Sequence, residues 1–195
     1  MAVMNINDFS ERIGQVTDSL DRMVRDRQML STVITVADLI AEAMRHGKKL
    51  LICGNGGSAA DAQHMAGEFV CRFCKDRAPL PALALSTDTS VLTAISNDYS
   101  YADVFGRQVL AHGRKGDVLF GISTSGNSGN IRCAFEAAKG IGVKTVLLTG
   151  ERPSSIEALA DIVIKAPSTE TPRIQEMHLI IEHVICEAIE GKICG

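Results

Sequence analysis

The stretch KKLLICGNGGSAADAQHMAGEFV, residues 48–70, decides the fold. Its apolar run 49–53 predicts a buried strand. The turn 54–57 that follows is rich in glycine, which tolerates positive φ and lets a ligand approach the backbone. Ser58 then stands where a helix N-cap is expected. A strand, a tight turn and a helix start present free backbone N–H groups to an anion, and phosphate suits this arrangement.

The same predicted helix carries His64 and Glu68, four residues apart and therefore on one face. Beside a phosphate-binding turn, this pair favours acid–base or metal chemistry on a phosphorylated substrate. Taken alone, the two residues also fit an ordinary surface pair. The turn resembles a degenerate dinucleotide fingerprint, but the acid needed about twenty residues later is only Asp76, in a charged segment before a proline. We therefore predict no nucleotide site.

Composition restricts the classes of function. The chain has 195 residues, 46% of them hydrophobic, which is enough for one α/β domain with its own core. A net charge of −3 without a basic cluster, and 4% aromatic residues without Trp, argue against nucleic-acid binding. No apolar run is long enough to span a bilayer, and the segment MAVMNINDF lacks the features of a signal peptide. We expect a cytoplasmic protein with no nucleic-acid or membrane partner.

The six cysteines predict buried, reduced thiols rather than disulfides, because they are scattered through apolar contexts. Cys71 and Cys74 form a CxxC pair, but no second pair completes a zinc ribbon. The pair also closes a helix, whereas a thioredoxin-like redox motif opens one. We predict no role in metal binding or redox chemistry for this pair.

Two helices are predicted ahead of the organising stretch. The first has a narrow apolar seam with alternating spacings of three and four, formed by Ile6, Phe9, Ile13, Val16, Leu20 and Met23. Such a seam suits packing against another helix, either of a second subunit or of its own domain. Residues 30–45 form a second helix with a wider stripe, closed by Gly47. We expect about residues 1–46 to be N-terminal helices used in oligomerisation.

The rest of the chain alternates strands with helices at short spacing. Strands are predicted at 82–85, 118–122, 143–148 and 162–166, and helices at 86–95, 101–111, 130–139 and 174–189, with a short one ending at 160. Turn residues 96–99 are expected to break the helix before them. The pattern predicts an α/β fold, a single domain over residues 1–195 whose core begins near 47, with a five-stranded parallel sheet flanked by helices.

A second anion site is predicted after the third of the five strands. The segment STSGNSGN, residues 123–130, places four hydroxyls within six residues, at Ser123, Thr124, Ser125 and Ser128. Hydroxyls and helix N–H groups together can surround a phosphate with donors. Hydroxyl-rich loops also cap helices, but four hydroxyls exceed what one cap needs. Both loops fall at the carboxyl edge of the predicted sheet, where ligands of such folds bind, and we favour phosphate.

Three motifs in combination, CGNGGSAADAQH (53–64), STSGNS (123–128) and RIQEMH (173–178), resemble those of the phosphoheptose isomerases in the sugar isomerase (SIS) domain superfamily. The resemblance covers nearly the whole chain. It implies an isomerase that converts sedoheptulose 7-phosphate to D-glycero-D-manno-heptose 7-phosphate through an enediol, for bacterial heptose and lipopolysaccharide synthesis. It also implies a homotetramer with active sites at subunit contacts and one Zn²⁺ per subunit.

The resemblance also assigns residues, position by position. The implied zinc ligands are His64, Glu68, Gln175 and His183. Since isomerisation through an enediol needs a base at carbon and an acid at the oxygens, we predict Glu68 as the base and His183 as its catalytic partner. A carboxylate bound tightly to Zn²⁺ is a poorer base, so the two roles of Glu68 compete. The implied substrate contacts are Asn55, Gly56, Gly57, Ser58, Glu68, Arg72, Asn97, Asp98, Ser123, Thr124, Ser125, Ser128 and Gln175.

Several alternatives stay open. Pro172 stands where some family members have Asp, so any role of that acid is in question. Gln175 and His183 lie two turns, roughly 12 Å, apart along a helix, whereas His178 and Glu182 are a better-spaced pair. Without the resemblance, His183 would be interpreted as a core histidine. The alternative function is a non-catalytic SIS-domain protein that binds a phosphosugar or a partner protein. Such relatives lack the metal-site residues, and all four are present here.

Overall fold

The structure is a computed structural model that describes residues 4–194. The predicted domain bounds at residues 1 and 195, and the start of MAVMNINDF, lie outside the described residues. The helices are α1 (Ile6–Arg25), α2 (Arg27–Arg45), α3 (Gly57–Val70), α4 (Thr89–Asp98), α5 (Val104–His112), α6 (Gly129–Ile141) and α7 (Thr171–Cys194), with 3-10 turns at Tyr101–Asp103 and Glu157–Leu159. The strands are β1 (Leu50–Gly54), β2 (Ala82–Ala84), β3 (Val118–Ser123), β4 (Lys144–Gly150) and β5 (Ile162–Ala166).

The five strands form one parallel sheet in the order β2-β1-β3-β4-β5, which confirms the predicted sheet. Leu50 of β1 pairs with Ala82 of β2 on one side and with Val118 of β3 on the other. The strand order therefore reverses at β1 and β3. The loops that leave these two strands turn to opposite faces, and a crevice opens between them at the carboxyl edge.

Helices cover both faces of the sheet, which explains why β1 and β3 are buried along their whole length. Alternate strand residues point to opposite faces. Leu50 and Ile52 belong to the core beneath α1, α2, α3 and α7, whereas Leu51 and Cys53 belong to the core beneath α5 and α6. The two helices that begin at the crevice, α3 and α6, thus lie on opposite faces of the sheet.

The predicted N-cap of α3 is wrong. The cap is Gly56, whose φ of 56° is a left-handed conformation that favours glycine, and no side chain caps the helix. Ser58 lies within the first turn and is buried. A Cβ at Gly54 would overlap the carbonyl of Ser58, so the turn also needs a residue without a side chain there. The first N–H groups of α3 are left without a capping side chain.

The predicted break at residues 96–99 is also wrong, because α4 continues through Asp98. The hydroxyl of Ser96 donates to the carbonyl of Leu92 at 2.7 Å, so this turn-forming residue is accommodated inside the helix. Asn97 and Asp98 therefore lie in the last turn of α4, where the Asn97 amide donates to the Asp98 carboxylate at 2.8 Å.

The last helix is longer than predicted at both ends. It begins at Thr171, and Pro172 lies in its first turn, where the missing N–H has no helical partner to lose. It continues to Cys194, beyond the predicted end at residue 189. No helix of residues 4–194 combines the length and apolar character needed to cross a membrane.

The prediction of buried thiols holds for only part of the set. Cys53 and Cys186 are buried, but Cys71, Cys74 and Cys194 are exposed. All six are free thiols. The exposed ones follow the end of α3 or lie in the last turn of α7, where helices leave the core.

The apolar seam of α1 divides into two halves. Val16, Leu20 and Met23 pack against the core of their own chain. Ile6, Phe9 and Ile13 are instead 83%, 59% and 64% exposed. The described chain thus leaves the N-terminal half of the seam uncovered.

Candidate active site

A cavity of about 310 Å³ opens at the crevice between β1 and β3. It brings together the glycine-rich turn, the hydroxyl-rich loop and the start of α7. Eight of the predicted substrate contacts line it, together with Ile122 and Thr171: Asn55, Gly56, Gly57, Ser58, Ser123, Thr124, Ser128 and Gln175. The strand order explains this meeting, since the loops come from neighbouring strands that are far apart in sequence.

The cavity is rich in hydrogen-bond donors. Both α3 and α6 begin at it, and neither has a side-chain cap. The hydroxyls of Ser123 and Ser128 lie 3.1 Å apart, and Ser123 Oγ also accepts the N–H of Gly126 at 3.2 Å. Uncapped helix N-termini favour negative charge, because their N–H groups are free and their dipoles point the same way. The cavity is therefore suited to a phosphate group.

Asn55 is held by residues that were not predicted. Its Nδ2 donates to Asn130 Oδ1 at 2.9 Å, and Asn130 Nδ2 donates back to Asn55 Oδ1 at 2.8 Å. The hydroxyl of Tyr101 donates to the same Asn55 oxygen at 2.9 Å. Asn130 closes the STSGNSGN segment, so its place beside the predicted site was a signal in the sequence. The reciprocal amide pair joins the turn before α3 to the first turn of α6.

Gln175 reaches the cavity through a gap left by glycine. A Cβ at Gly57 would overlap the amide nitrogen of Gln175. The glycine therefore does more than form the turn, because its missing side chain admits the amide of α7. Gln175 is thus placed to contact a molecule bound in the cavity.

A second cluster lies further along α3 and α7. His64 Nε2 is 2.8 Å from His183 Nε2 and 3.4 Å from Glu68 Oε1. One ligand atom from each of these residues lies within 4.8 Å of the others. Two imidazoles and a carboxylate at this spacing can hold a metal ion and leave a coordination position open. The predicted catalytic pair, Glu68 and His183, is thus brought together by two packed helices.

Gln175 stands apart from this cluster. It precedes His183 by eight residues on α7, which corresponds to roughly 12 Å along the helix. Three of the four predicted zinc ligands therefore meet within one chain, and the fourth lies at the phosphate-suited cavity. Its role as a metal ligand stays a prediction.

Five other predicted substrate contacts do not line the cavity, and one of them, Glu68, belongs to the cluster with His64 and His183. Ser125 lines a neighbouring cavity of about 200 Å³, which shares Thr124 and Thr171 with the first. Asn97 and Asp98 are exposed at the end of α4, shortly before Tyr101. Arg72 is exposed beyond the far end of α3, about 20 Å along the helix from Gly57. Their binding roles stay predictions.

The alternative pair His178 and Glu182 lies inside the protein. Both side chains are fully buried, and their polar atoms make no hydrogen bond within the described residues. Burial lowers the pKa of His178 to about 4. Burial, with a contribution from Asp61, raises the pKa of Glu182 to about 9. Both groups are therefore uncharged near pH 7, and neither lines the cavity.

Comparison with known proteins agrees with this geometry. The family model described as SIS domain matches residues 13–150. The chain is 53% identical to the phosphoheptose isomerase of Burkholderia pseudomallei over 96% of this chain and 95% of the relative.

Two solved structures share the fold over nearly their whole length. Phosphoheptose isomerase GmhA from Neisseria gonorrhoeae is 41% identical, with a TM-score of 0.82 over 94% of this chain and 95% of that chain. A phosphoheptose isomerase from Francisella tularensis is 30% identical, with a TM-score of 0.91 over 97% of this chain and 100% of that chain. The resemblance inferred from three motifs is confirmed, and the chain belongs to the phosphoheptose isomerase family of SIS-domain proteins.

Proposed function

We propose that the chain isomerises sedoheptulose 7-phosphate to D-glycero-D-manno-heptose 7-phosphate. The observation that carries the proposal is that a donor-rich cavity and the His64–Glu68–His183 cluster lie along the same two helices, α3 and α7, in a member of this family. The cavity suits the phosphate, and the cluster supplies groups for proton transfer. The proposed setting is the bacterial cytoplasm, where the product serves heptose and lipopolysaccharide synthesis.

The proposed reaction moves one proton between two carbons. Glu68 takes a proton from C1 of the ketose, and the electrons of that C–H bond form the C1=C2 bond of an enediol. The carbonyl oxygen at C2 gains a proton at this stage. The C1 hydroxyl then loses its proton as the C1 carbonyl forms, and C2 receives a proton. His183 supplies or removes protons at the oxygens, or acts on the opposite face.

We further propose that the cluster holds one zinc ion per subunit. His64, Glu68 and His183 fit this ion, because imidazole nitrogens and a carboxylate oxygen are common zinc ligands in sites with an open position. When bound, zinc supplies Lewis acidity that polarises a substrate oxygen. Gln175 is the fourth proposed zinc ligand. Its amide would reach the ion either through a shift of the Gln175 side chain or from helix α7 of a neighbouring subunit.

We also propose that one SIS domain over residues 1–195 assembles into a homotetramer with shared sites. The uncovered residues Ile6, Phe9 and Ile13 support burial against another copy. The position of Arg72 supports sharing, because it lies far from the phosphate-suited cavity of its own chain. In a tetramer the same arginine can serve a neighbouring cavity.

Isomerisation in D₂O tests the proposed function. We expect the chain to convert sedoheptulose 7-phosphate to an aldose that carries deuterium at C2, because proton transfer through an enediol exchanges with solvent. Proton NMR of the product measures both conversion and label. Unphosphorylated sedoheptulose is the control and should react far more slowly. Saturable binding of the ketose phosphate without conversion would instead indicate a non-catalytic phosphosugar-binding protein.

The phosphate assignment predicts the effect of losing a single hydroxyl. Ser123→Ala should weaken substrate binding by about 1–3 kcal/mol, because it removes a buried donor to a charged group. Ser125→Ala should have an effect of this size only if the phosphate also reaches the neighbouring cavity that Ser125 lines. Calorimetric titration with sedoheptulose 7-phosphate measures the change. Ser31→Ala, an exposed serine on α2, is the control. Unchanged affinity in both variants would show that the loop only shapes the start of α6.

A further inference from the structure

Glu190 on α7 is a buried carboxylate surrounded by donors. It is 2% exposed. It accepts three consecutive backbone N–H groups, from Phe73 at 3.1 Å and from Cys74 and Lys75 at 2.8 Å each. It also accepts Nε of Arg77 at 3.0 Å. One side chain therefore binds four residues of the irregular segment between α3 and β2.

Arg77 extends this network to the end of the helix that carries Glu68. Its guanidinium donates to the backbone carbonyl of Glu68 at 2.7 Å and to that of Phe69 at 2.8 Å. The side chain of Arg77 is only 4% exposed. These carbonyls belong to the last turn of α3, where backbone acceptors have no helical partner. The ion pair with Glu190 thus fixes the helix end at the residue that the proposed reaction uses as its base.

Phe73 extends the same network to the other proposed catalytic residue. Its ring packs against the imidazole of His183, with the ring centroids 5.7 Å apart and the planes tilted by 40°. Its backbone N–H is one of the three that Glu190 accepts. His183 and Glu190 are seven residues apart and therefore share one face of α7. The Phe73 ring thus supports the His183 imidazole on one side. The backbone of Phe73 is in turn held by Glu190, which lies two turns beyond His183 on α7.

The donors keep Glu190 charged although it is buried. Burial raises the pKa of this carboxyl. The N–H groups of Cys74, Lys75 and Phe73 and the guanidinium of Arg77 together lower the pKa by more, so that it lies below its usual value. If the contact between Glu190 and its donors were broken, the carboxylate and the donors would both be left buried without hydrogen bonds, which is unfavourable. A different arrangement of the segment would therefore break several buried hydrogen bonds.

We propose that Glu190 is a positioning residue of the isomerase site, which acts on His183 through Phe73 and on Glu68 through Arg77. This inference rests on the proposed function. The contacts of Glu190 lead to both helices of the cluster, to His183 on α7 through the Phe73 ring and to the end of α3 through Arg77. Groups that orient metal-binding and catalytic side chains typically change affinity or activity by about 10–100-fold when altered.

The test compares Glu190→Gln with a matched control, Asp117→Asn. Asp117 is also a buried carboxylate, 1% exposed, that accepts two backbone N–H groups and a cation. Its partners are Lys49 and Arg114, away from the cluster. Each variant is measured for kcat and KM with sedoheptulose 7-phosphate, for zinc affinity in competition with a chelator, and for the imidazole NMR signals of His183. Thermal unfolding records the cost of each change to stability.

Glu190→Gln should lower kcat and zinc affinity by about 10–100-fold, with a much smaller change in KM, and should shift the His183 signals. Asp117→Asn should leave kcat, zinc affinity and these signals unchanged. Normal values in Glu190→Gln, or equal losses in Asp117→Asn, would overturn the proposal. If Glu190→Gln does not fold, Phe73→Leu keeps the carboxylate and its donors, and it should still lower kcat and shift the His183 signals.

These measurements separate the inference from the proposed function. A wild-type protein that does not convert the ketose phosphate would refute the function. Zinc affinity and the His183 signals would still decide whether Glu190 positions the cluster. Unchanged signals in both Glu190→Gln and Phe73→Leu would refute the positioning role even in an active isomerase.

Discussion

Glu68→Gln should reduce kcat by about 10²–10⁴-fold, because an amide of nearly the same shape cannot accept a proton from carbon. Substrate should still bind, since the cavity around Asn55 and Ser123 is untouched. Steady-state kinetics and calorimetric titration measure the two effects separately. Zinc content measured in the same samples shows how far loss of a ligand contributes to the fall in kcat.

A glutamate outside the cluster provides the control. Glu187→Gln makes the same chemical change at an exposed position of α7 and should leave kcat unchanged. Turnover close to normal in Glu68→Gln would remove Glu68 from the role of base, whatever its effect on zinc.

Charge placed in the uncovered part of the α1 seam should dissociate the proposed tetramer. Phe9 and Ile13 are exposed in the described chain, so Phe9→Glu with Ile13→Glu leaves the fold of one subunit intact. Burying unpaired carboxylates at a subunit contact costs several kcal/mol for each charge, because an ionised carboxylate loses more on leaving water than a neutral polar group does. Light scattering should report smaller particles, and turnover should fall with them because, in the proposed tetramer, neighbouring subunits complete each site.

The opposite face of the same helix supplies the control for assembly. Glu11→Gln with Asp18→Asn changes the charge by two units on a face away from the seam, and should leave both mass and turnover unchanged. A fully active monomer of the seam variant would refute shared sites without touching the chemical assignments.

The sequence was sufficient for the strands but not for every helix boundary. Apolar runs bounded by turn residues predicted all five strands, because a parallel sheet covered on both faces needs such runs. The start of α3 was misplaced because backbone conformation at Gly56, rather than a side chain at Ser58, begins the helix. The end of α4 was misplaced because Ser96 bonds back to its own helix. The capping and turn preferences of serine alone do not distinguish these outcomes from the predicted ones.

The site was predictable as two loops, but not as a set of distances. The glycine-rich turn and the hydroxyl-rich loop meet because β1 and β3 are neighbours, and the predicted sheet did not include this strand order. The separation of Gln175 from His183 follows from helix geometry. The support that Asn130 gives Asn55, and that Glu190 gives the segment after α3, depends on tertiary contacts between distant parts of the sequence. Periodicity carries no signal for such pairs.

The packing of α2 has a consequence for how the chain is made. This helix packs against β5 and α7, which are the last two elements described. A ribosome that has completed α2 must therefore synthesise most of the remaining chain before the apolar face of this helix finds its partners. Buried residues of α2 such as Val36 and Ile40 stay without their native cover until then. The sheet can begin to form during synthesis, but the layer over one of its faces closes only after α7 has been synthesised.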